Sequence, residues 1–261
     1  MKIATYNVWN ENDGVGSRFE QLIQEITNVD ADIIALQEVT IQFYGDARER
    51  LKQYEYSEFR NYTEEDEGLA ILSKYALESC TFLHTDAEYS HSNALNVLFK
   101  AGKARFSLTN VHLPWDSIKA KEEQIIAIDR FMHEQEGLAD YYIMLGDFNC
   151  SPDASVHRFL VGEQTLYGNE AKPDWLEVSG SFATLHGTEL APTMDFVNNP
   201  RWKGKNSIYV PENFDRIYIM DNWNYFAFED VKIFGTEVNP VNNLCASDHY
   251  GVVADITFDE E

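Results

Sequence analysis

Positive charge is what this sequence has least of for its size. Lys and Arg total 20 among 261 residues, against 44 Asp and Glu, for a formal net charge of -24. Gripping nucleic acid over a long footprint takes Lys and Arg on many phosphates, so an extended basic track is unexpected and the bulk acidity reads as solubility. Cysteine is scarce too. Cys80, Cys150 and Cys245 are far apart and show no CxxC spacing, which argues against a disulfide framework or a zinc knuckle. No apolar run is long enough to span a membrane, and Met1 to Asn7 lacks the apolar core of a signal peptide. A reduced cytoplasmic setting without a membrane anchor is expected. Repeats, low-complexity tracts and Pro/Gly/Ser linkers are also missing, so residues 1–261 are expected to form a single domain.

What the chain does have is core-forming material. Hydrophobic residues make up 44% and aromatics 13%, enough to bury a sizeable interior. Apolar runs predict strands at Lys2–Val8, Asp32–Val39, Gly68–Ser73, Tyr141–Leu145, Phe214–Met220, Asp230–Phe234 and Tyr250–Phe258. Asn96–Lys100 and Ala104–His112 flank Ala101-Gly102-Lys103, a hairpin pattern. Ser17 and Glu20 match a capping box ahead of Leu22, Ile23 and Ile26. Ile118, Ile125, Ile126 and Met132 mark a second helix, and Ser151–Leu160 a short one opening after Pro152. Strands outnumber helices and several neighbours look antiparallel. The expectation is an α/β (α+β) four-layered sandwich, two stacked, mostly antiparallel sheets flanked by helices. Glu64-Glu65-Asp66-Glu67 reads as a solvated loop.

Polar residues gather where these strands end. Asn7 follows IATY, Glu38 follows IIALQ, and Asn110 and His112 sit in NVHL; Asp147 and Asn149 lie in GDFN, Asp215 in FDRI, and Asp248 and His249 in SDHYGV. Strand ends bring distant residues to one rim. Hydrolysis of a phosphate ester asks for this set. A hard cation such as Mg2+ (or Mn2+) neutralises the anionic phosphate, which suits Glu38. A base or anchor holds the attacking water, which suits Asp147. Asn7 and Asn149 offer hydrogen bonds without charge. Donors meet the charge that develops on phosphate oxygen, which suits His112 and His249, and a buried carboxylate at Asp215 would make His249 a better cationic donor. Taken singly, each has a plainer reading: Glu38 a surface carboxylate, the Asn residues turn formers, Asp248-His249 a solvated loop. Their convergence carries the argument.

As an ordered set, YNVWN, LQEV, NVHL, GDFN, FDRI and SDHYGV resemble the motifs of the endonuclease/exonuclease/phosphatase superfamily, from residue 3 to residue 253. That resemblance implies a site at one end of two sheets. It implies Glu38 as metal ligand with Asn7 and Asp248 beside the metal, and Asp147 and Asn149 positioning the water and the phosphate. Asp215 and His249 would be a coupled carboxylate–imidazole pair, with His112 the second histidine. Thr193-Met194-Asp195 followed by Asn199-Pro200 is similar to the T-W-D…N segment of tyrosyl-DNA phosphodiesterase 2-like members, with Met194 where an aromatic is usual. The expected activity is a Mg2+-dependent phosphodiesterase working at a nucleic-acid end. The alternative is a phosphatase or phosphodiesterase for a small phosphorylated metabolite or lipid headgroup, which needs no basic track. Trp9, Trp115, Trp202 and Trp223 are candidates to stack on bases or to fill the core. Lys103, Arg105, Arg201, Lys203 and Lys205 are the residues from which a basic groove would be built. No obligate protein partner is indicated.

Overall fold

The structure is a computed structural model that describes residues 1–11, 15–62, 66–84, 93–189, 191–204 and 209–258. Strands β1 (Lys2–Asn7), β2 (Ile33–Thr40), β3 (Tyr56–Asn61), β4 (Glu67–Ser73), β11 (Phe226–Phe234) and β12 (Gly251–Phe258) form one six-stranded sheet, in the order β11-β12-β1-β2-β4-β3. The other six-stranded sheet holds β5 (Leu77–His84), β6 (Asn93–Ala101), β7 (Ala104–His112), β8 (Tyr141–Asp147), β9 (Trp175–Glu177) and β10 (Asp215–Met220), in the order β5-β6-β7-β8-β10-β9.

The sequence explains the layering. β1 and β2 are apolar on both faces because both faces are covered. Ile3, Ile33 and Ala35 point into the inter-sheet core with Leu95, Val97, Phe99, Phe106, Leu108, Ile143 and Ile217. Ala4, Tyr6, Ile34 and Leu36 instead pack with Phe19, Leu22 and Ile26 of α1 (Val15–Val29) and Phe43 and Ala47 of α2 (Ile41–Arg50). On the outer face of the second sheet, Ile125, Ile128 and Met132 of α3 (Ile118–Glu134) and Val156 and Phe159 of α4 (Ser155–Leu160) cover Tyr142, Met144 and Tyr218. The order is therefore helix, sheet, sheet, helix, as the sequence led us to expect. Each fully buried Leu, Ile or Phe here stabilises by roughly 1.5–3 kcal/mol. A further helix, α5 (Val178–His186), follows β9 directly.

Two pairings position the site. β1 and β2 are parallel and joined through α1; β7 and β8 are parallel and joined through α3. All four strands deliver their carboxyl ends to one rim. β12 runs antiparallel to β1 and β10 antiparallel to β8, so their beginnings arrive there too: Val252 pairs with Thr5, and Asp215 with Asp147.

Some local expectations shift. α1 begins at Val15, so Ser17 lies inside the helix. Ser17 is exposed, and Glu20 reaches Arg50 (2.8 Å) instead of folding back as a capping residue. α4 starts at Ser155 with Ala154 as its cap; Pro152 lies in the preceding turn, where Ala154 N–H donates to Ser151 O. Glu67 opens β4 and is buried, not part of a solvated loop, while Glu64 and Glu65 lie outside the described residues. No described helix is long and apolar enough to cross a membrane.

Candidate active site

β1 ends at Asn7, whose side chain joins the two sheets. Its Nδ2 donates to Glu38 Oε1 (2.9 Å) on the first sheet and to Asp147 Oδ2 (3.0 Å) on the second, while its Oδ1 accepts from Trp9 N (3.0 Å). Glu38 sits in a break of the β2–β4 register between Leu36 and Val39, with φ at +54°. A bulky residue in that left-handed region costs about 1–3 kcal/mol. The bulge turns the carboxylate to the rim, where its Oε2 also accepts from Asn10 N (3.2 Å).

Asp147 is placed by the neighbouring strand. β7 and β8 pair so that His112 lies opposite Asp147, with Gly146 opposite Val111. Gly146 has φ +146°, and a Cβ there would stand 1.9 Å from Val111 O, so only glycine lets the backbones approach this closely. The buried Asp147 carboxylate accepts Asn149 N through Oδ1 (2.8 Å). Its Oδ2 is 3.7 Å from His249 Nε2 and 3.8 Å from His112 Nε2. Asn149, at φ +47°, donates through Nδ2 to Leu113 O (2.9 Å), and its carbonyl takes Lys121 Nζ (2.6 Å).

Asp215 and His249 meet as the motif order suggested: His249 Nδ1 and Asp215 Oδ2 are 2.9 Å apart. Burial pulls the imidazole pKa down, but Asp215, then Asp147 and Asp248, outweigh it and raise it well above the usual histidine value. Burial likewise raises Asp215, against the opposing pull of His249. Three carboxylates thus favour the protonated imidazole. Asp248 is held up at about 6, by burial first and then by Glu38 and Asp147, with His249 opposing.

Asn7, Glu38, His112, Asp147, Asn149, Asp215, Asp248 and His249 thus all come to one rim. Glu38, His112, Asn149, Asp248 and His249 line a cleft of about 570 Å3. A second hollow of about 320 Å3, between α5 and β11, contains none of them. Two carboxylates with oxygen ligands and no lining thiol among the described residues make Glu38 and Asp248 the natural seat for a hard cation. Asp147, Asp215 and His249 also bring ligand atoms within 4.8 Å of one another. In that second group His249 Nδ1 is already engaged by Asp215, so Glu38 and Asp248 are the residues that could hold a cation.

Among the supports, sequence reasoning singled out Thr193, Asn199 and Arg201 but missed Tyr62 and Arg18. Tyr62, just beyond β3, touches His112 Nδ1 (2.9 Å), and nothing local in its sequence marks it. Thr193 Oγ1 accepts from Phe214 N and Asp215 N, and Asn199 Nδ2 donates to Ser247 O. The Thr193–Asn199 segment is therefore a buttress for the FDRI and SDH turns. Arg201 is buried on Cys245 O and Ala246 O, and Arg18 on Val8 O, Ala246 O and Glu11 O. Both guanidiniums lie behind Trp9, at 4.6 and 5.8 Å from its ring.

Of the residues from which a basic groove would be built, Lys103 and Lys203 are exposed. Arg201 is inside, Arg105 pairs with Glu78 (2.6 Å), and Lys205 lies outside the described residues. Trp9, Trp115 and Trp202 line the cleft. Trp223, 96% exposed, stands beyond the far end of β10.

Comparison with known proteins agrees with this fold. Residues 4–249 match the model of the Endonuclease/Exonuclease/phosphatase family. D. rerio TDP2, solved with a single-strand DNA product, superposes with a TM-score of 0.76 at 18% identity, covering 98% of each chain. Truncated Caenorhabditis elegans TDP2 gives 0.75 at 16% identity over 99% of this chain and 97% of that one. Mannosyl-6-phosphatase Bt3783 of Bacteroides thetaiotaomicron gives 0.74 at 18% identity over 99% of this chain and 100% of that one. At these identities the likeness is one of fold. None of the curated proteins matches the chain in sequence.

Proposed function

This chain belongs to the endonuclease/exonuclease/phosphatase family, whose members hydrolyse phosphoric esters, and on that premise we propose that it is a Mg2+-dependent phosphodiesterase. The substrate in this reading is a nucleic-acid end or a comparably compact phosphodiester, and residues 1–261 act as one catalytic domain. The observation that carries it is the arrangement about Asp147. Its Oδ2 takes the Asn7 amide at 3.0 Å and lies within 3.8 Å of both His112 Nε2 and His249 Nε2. A phosphate seated there meets donors on two sides and a carboxylate between them.

Each residue then has one task. Glu38, with Asn7 and Asp248 beside it, would hold Mg2+ or Mn2+; a bound hard cation supplies charge neutralisation on the phosphate. Asp147 orients the attacking water and takes its proton. His249, kept cationic by Asp215, donates through Nε2 to the phosphate oxygen on which charge grows, as His112 does from the other side. Asn149 shapes the turn that carries Asp147, and its second Nδ2 proton remains for the phosphate.

A small phosphomonoester is the second reading. Lys121 is the sole Lys or Arg lining the cleft among the described residues, which suits a substrate with a single phosphate. Rates on bis- and mono-p-nitrophenyl phosphate, short single strands and sugar phosphates, each with Mg2+, Mn2+ or chelator, separate the two. We expect diester hydrolysis with Mg2+ or Mn2+, and Asp147→Asn to lower kcat by roughly 10²-fold or more. Full activity of Glu38→Ala in chelator would overturn the metal assignment.

A further inference from the structure

The hydrogen bond that holds His112 comes from outside the motifs that define the site. Tyr62 is buried in the inter-sheet core, and only its hydroxyl reaches the rim. That hydroxyl lies 2.9 Å from His112 Nδ1. The opposite nitrogen, Nε2, is 3.9 Å from Glu38 Oε1 and 3.8 Å from Asp147 Oδ2. Carboxylate oxygens only accept. A lone pair on Nε2 would be repelled by the Asp147 carboxylate, and an N–H is attracted. In the neutral ring the proton therefore belongs on Nε2, which leaves Nδ1 as acceptor and makes the Tyr62 hydroxyl the donor.

We propose that Tyr62 is a positioning residue for phosphoester hydrolysis, which fixes His112 as the Nε2–H tautomer and so keeps an N–H aimed at the incoming phosphate oxygen. The proposal rests on the reading of His112 as a phosphate donor given above. With the opposite tautomer, Nε2 would present a lone pair to an anionic oxygen, and the donor would become a repulsive contact. Tyr62 serves this end better than a carboxylate would. Its hydroxyl donates to Nδ1 without adding negative charge to a rim already crowded by Glu38, Asp147 and Asp248. Tyr62→Phe would keep the ring in the core and remove the hydroxyl.

The wild-type protein carries the first test. Long-range 1H–15N correlation spectra of protein labelled with 15N-histidine distinguish the two tautomers and the doubly protonated ring. We expect His112 as Nε2–H; an Nδ1–H or doubly protonated His112 would overturn the proposal, whether or not any variant folds. In Tyr62→Phe we expect an Nδ1–H population to appear and kcat to fall on the order of ten-fold, with KM nearly unchanged, as for other residues that orient a site ligand from behind. Placed on a His112→Ala background, Tyr62→Phe should add no further loss of kcat. A Tyr62→Phe protein with unchanged tautomer, or with a changed tautomer and native kcat, would reject the positioning role. The spectra need no substrate, so a protein that hydrolysed none of the phosphoesters offered would defeat the functional reading and still decide the tautomer.

Discussion

Replacing Asp215 by Asn keeps the size of the side chain and removes the carboxylate that lies 2.9 Å from His249 Nδ1. That carboxylate is the strongest influence raising the imidazole, with Asp147 and Asp248 behind it. A raised histidine pKa means that the cation persists at neutral pH and is lost only as pH climbs through that value. In Asp215→Asn the high-pH limb of the kcat profile should therefore move to lower pH. The drop in kcat should exceed any drop in Tm, because a polar side chain still fills the site. A pH–rate profile with an unmoved upper limb would separate His249 from Asp215. Residues at this scale were largely legible beforehand, since the carboxylates, imidazoles and amides of the motifs all come to the rim. Tyr62 and Arg18 were not. Neither belongs to a local pattern, and each acts at the site through contacts made by distant segments.

Between elements, the contact between β1 and α1 is not purely apolar. Tyr6 Oη donates to Glu25 Oε2 (2.9 Å), and Gln21 Nε2 reaches the other oxygen of Glu25 (3.2 Å). Burial pushes the Glu25 carboxyl up to about 7, against the lowering effect of those two donors. Because this pKa is raised on folding, the protonated form is the stabilising one. Its contribution is complete below the ordinary carboxylate range and is lost as pH rises through about 7. Glu25→Gln keeps an oxygen for Tyr6 and removes the titration. The variant should gain on the wild type by at most ~3 kcal/mol at pH 8 and by little at pH 5. Thermal unfolding at the two pH values checks this, and an equal difference at both would refute it. The same scale shows where sequence patterns stop. β1, β2, β4, β8 and β10 are buried along nearly their whole length and read as apolar runs. β3 and β9 are edge strands, β11 is half exposed, and α2 buries only Phe43 and Ala47. Each buries too few side chains for a period to stand out, and only the Asp230–Phe234 part of β11 reads as a strand.

For the whole molecule, a charge of -24 and the burial or pairing of Arg201 and Arg105 mean that few phosphates beyond the cleft meet a free cation. Binding of short single strands by a His249→Ala variant should show a shallow dependence on salt, and long duplex should bind no more tightly. Affinities measured at several salt concentrations test this; tight duplex binding with a steep slope would require a basic surface elsewhere. The Asn7 amide spans from Glu38 on one sheet to Asp147 on the other. Similarly, Asn110 on β7 donates to Leu36 O and Ala70 O across the same gap. The spacing between Glu38, the proposed seat of the cation, and Asp147, the proposed anchor of the water, is therefore measured out by the apolar side chains between the slabs, Phe106, Leu108 and Ile143 among them. In that sense the greasy interior is a gauge block: its thickness sets how far apart the two carboxylates of the proposed site stand.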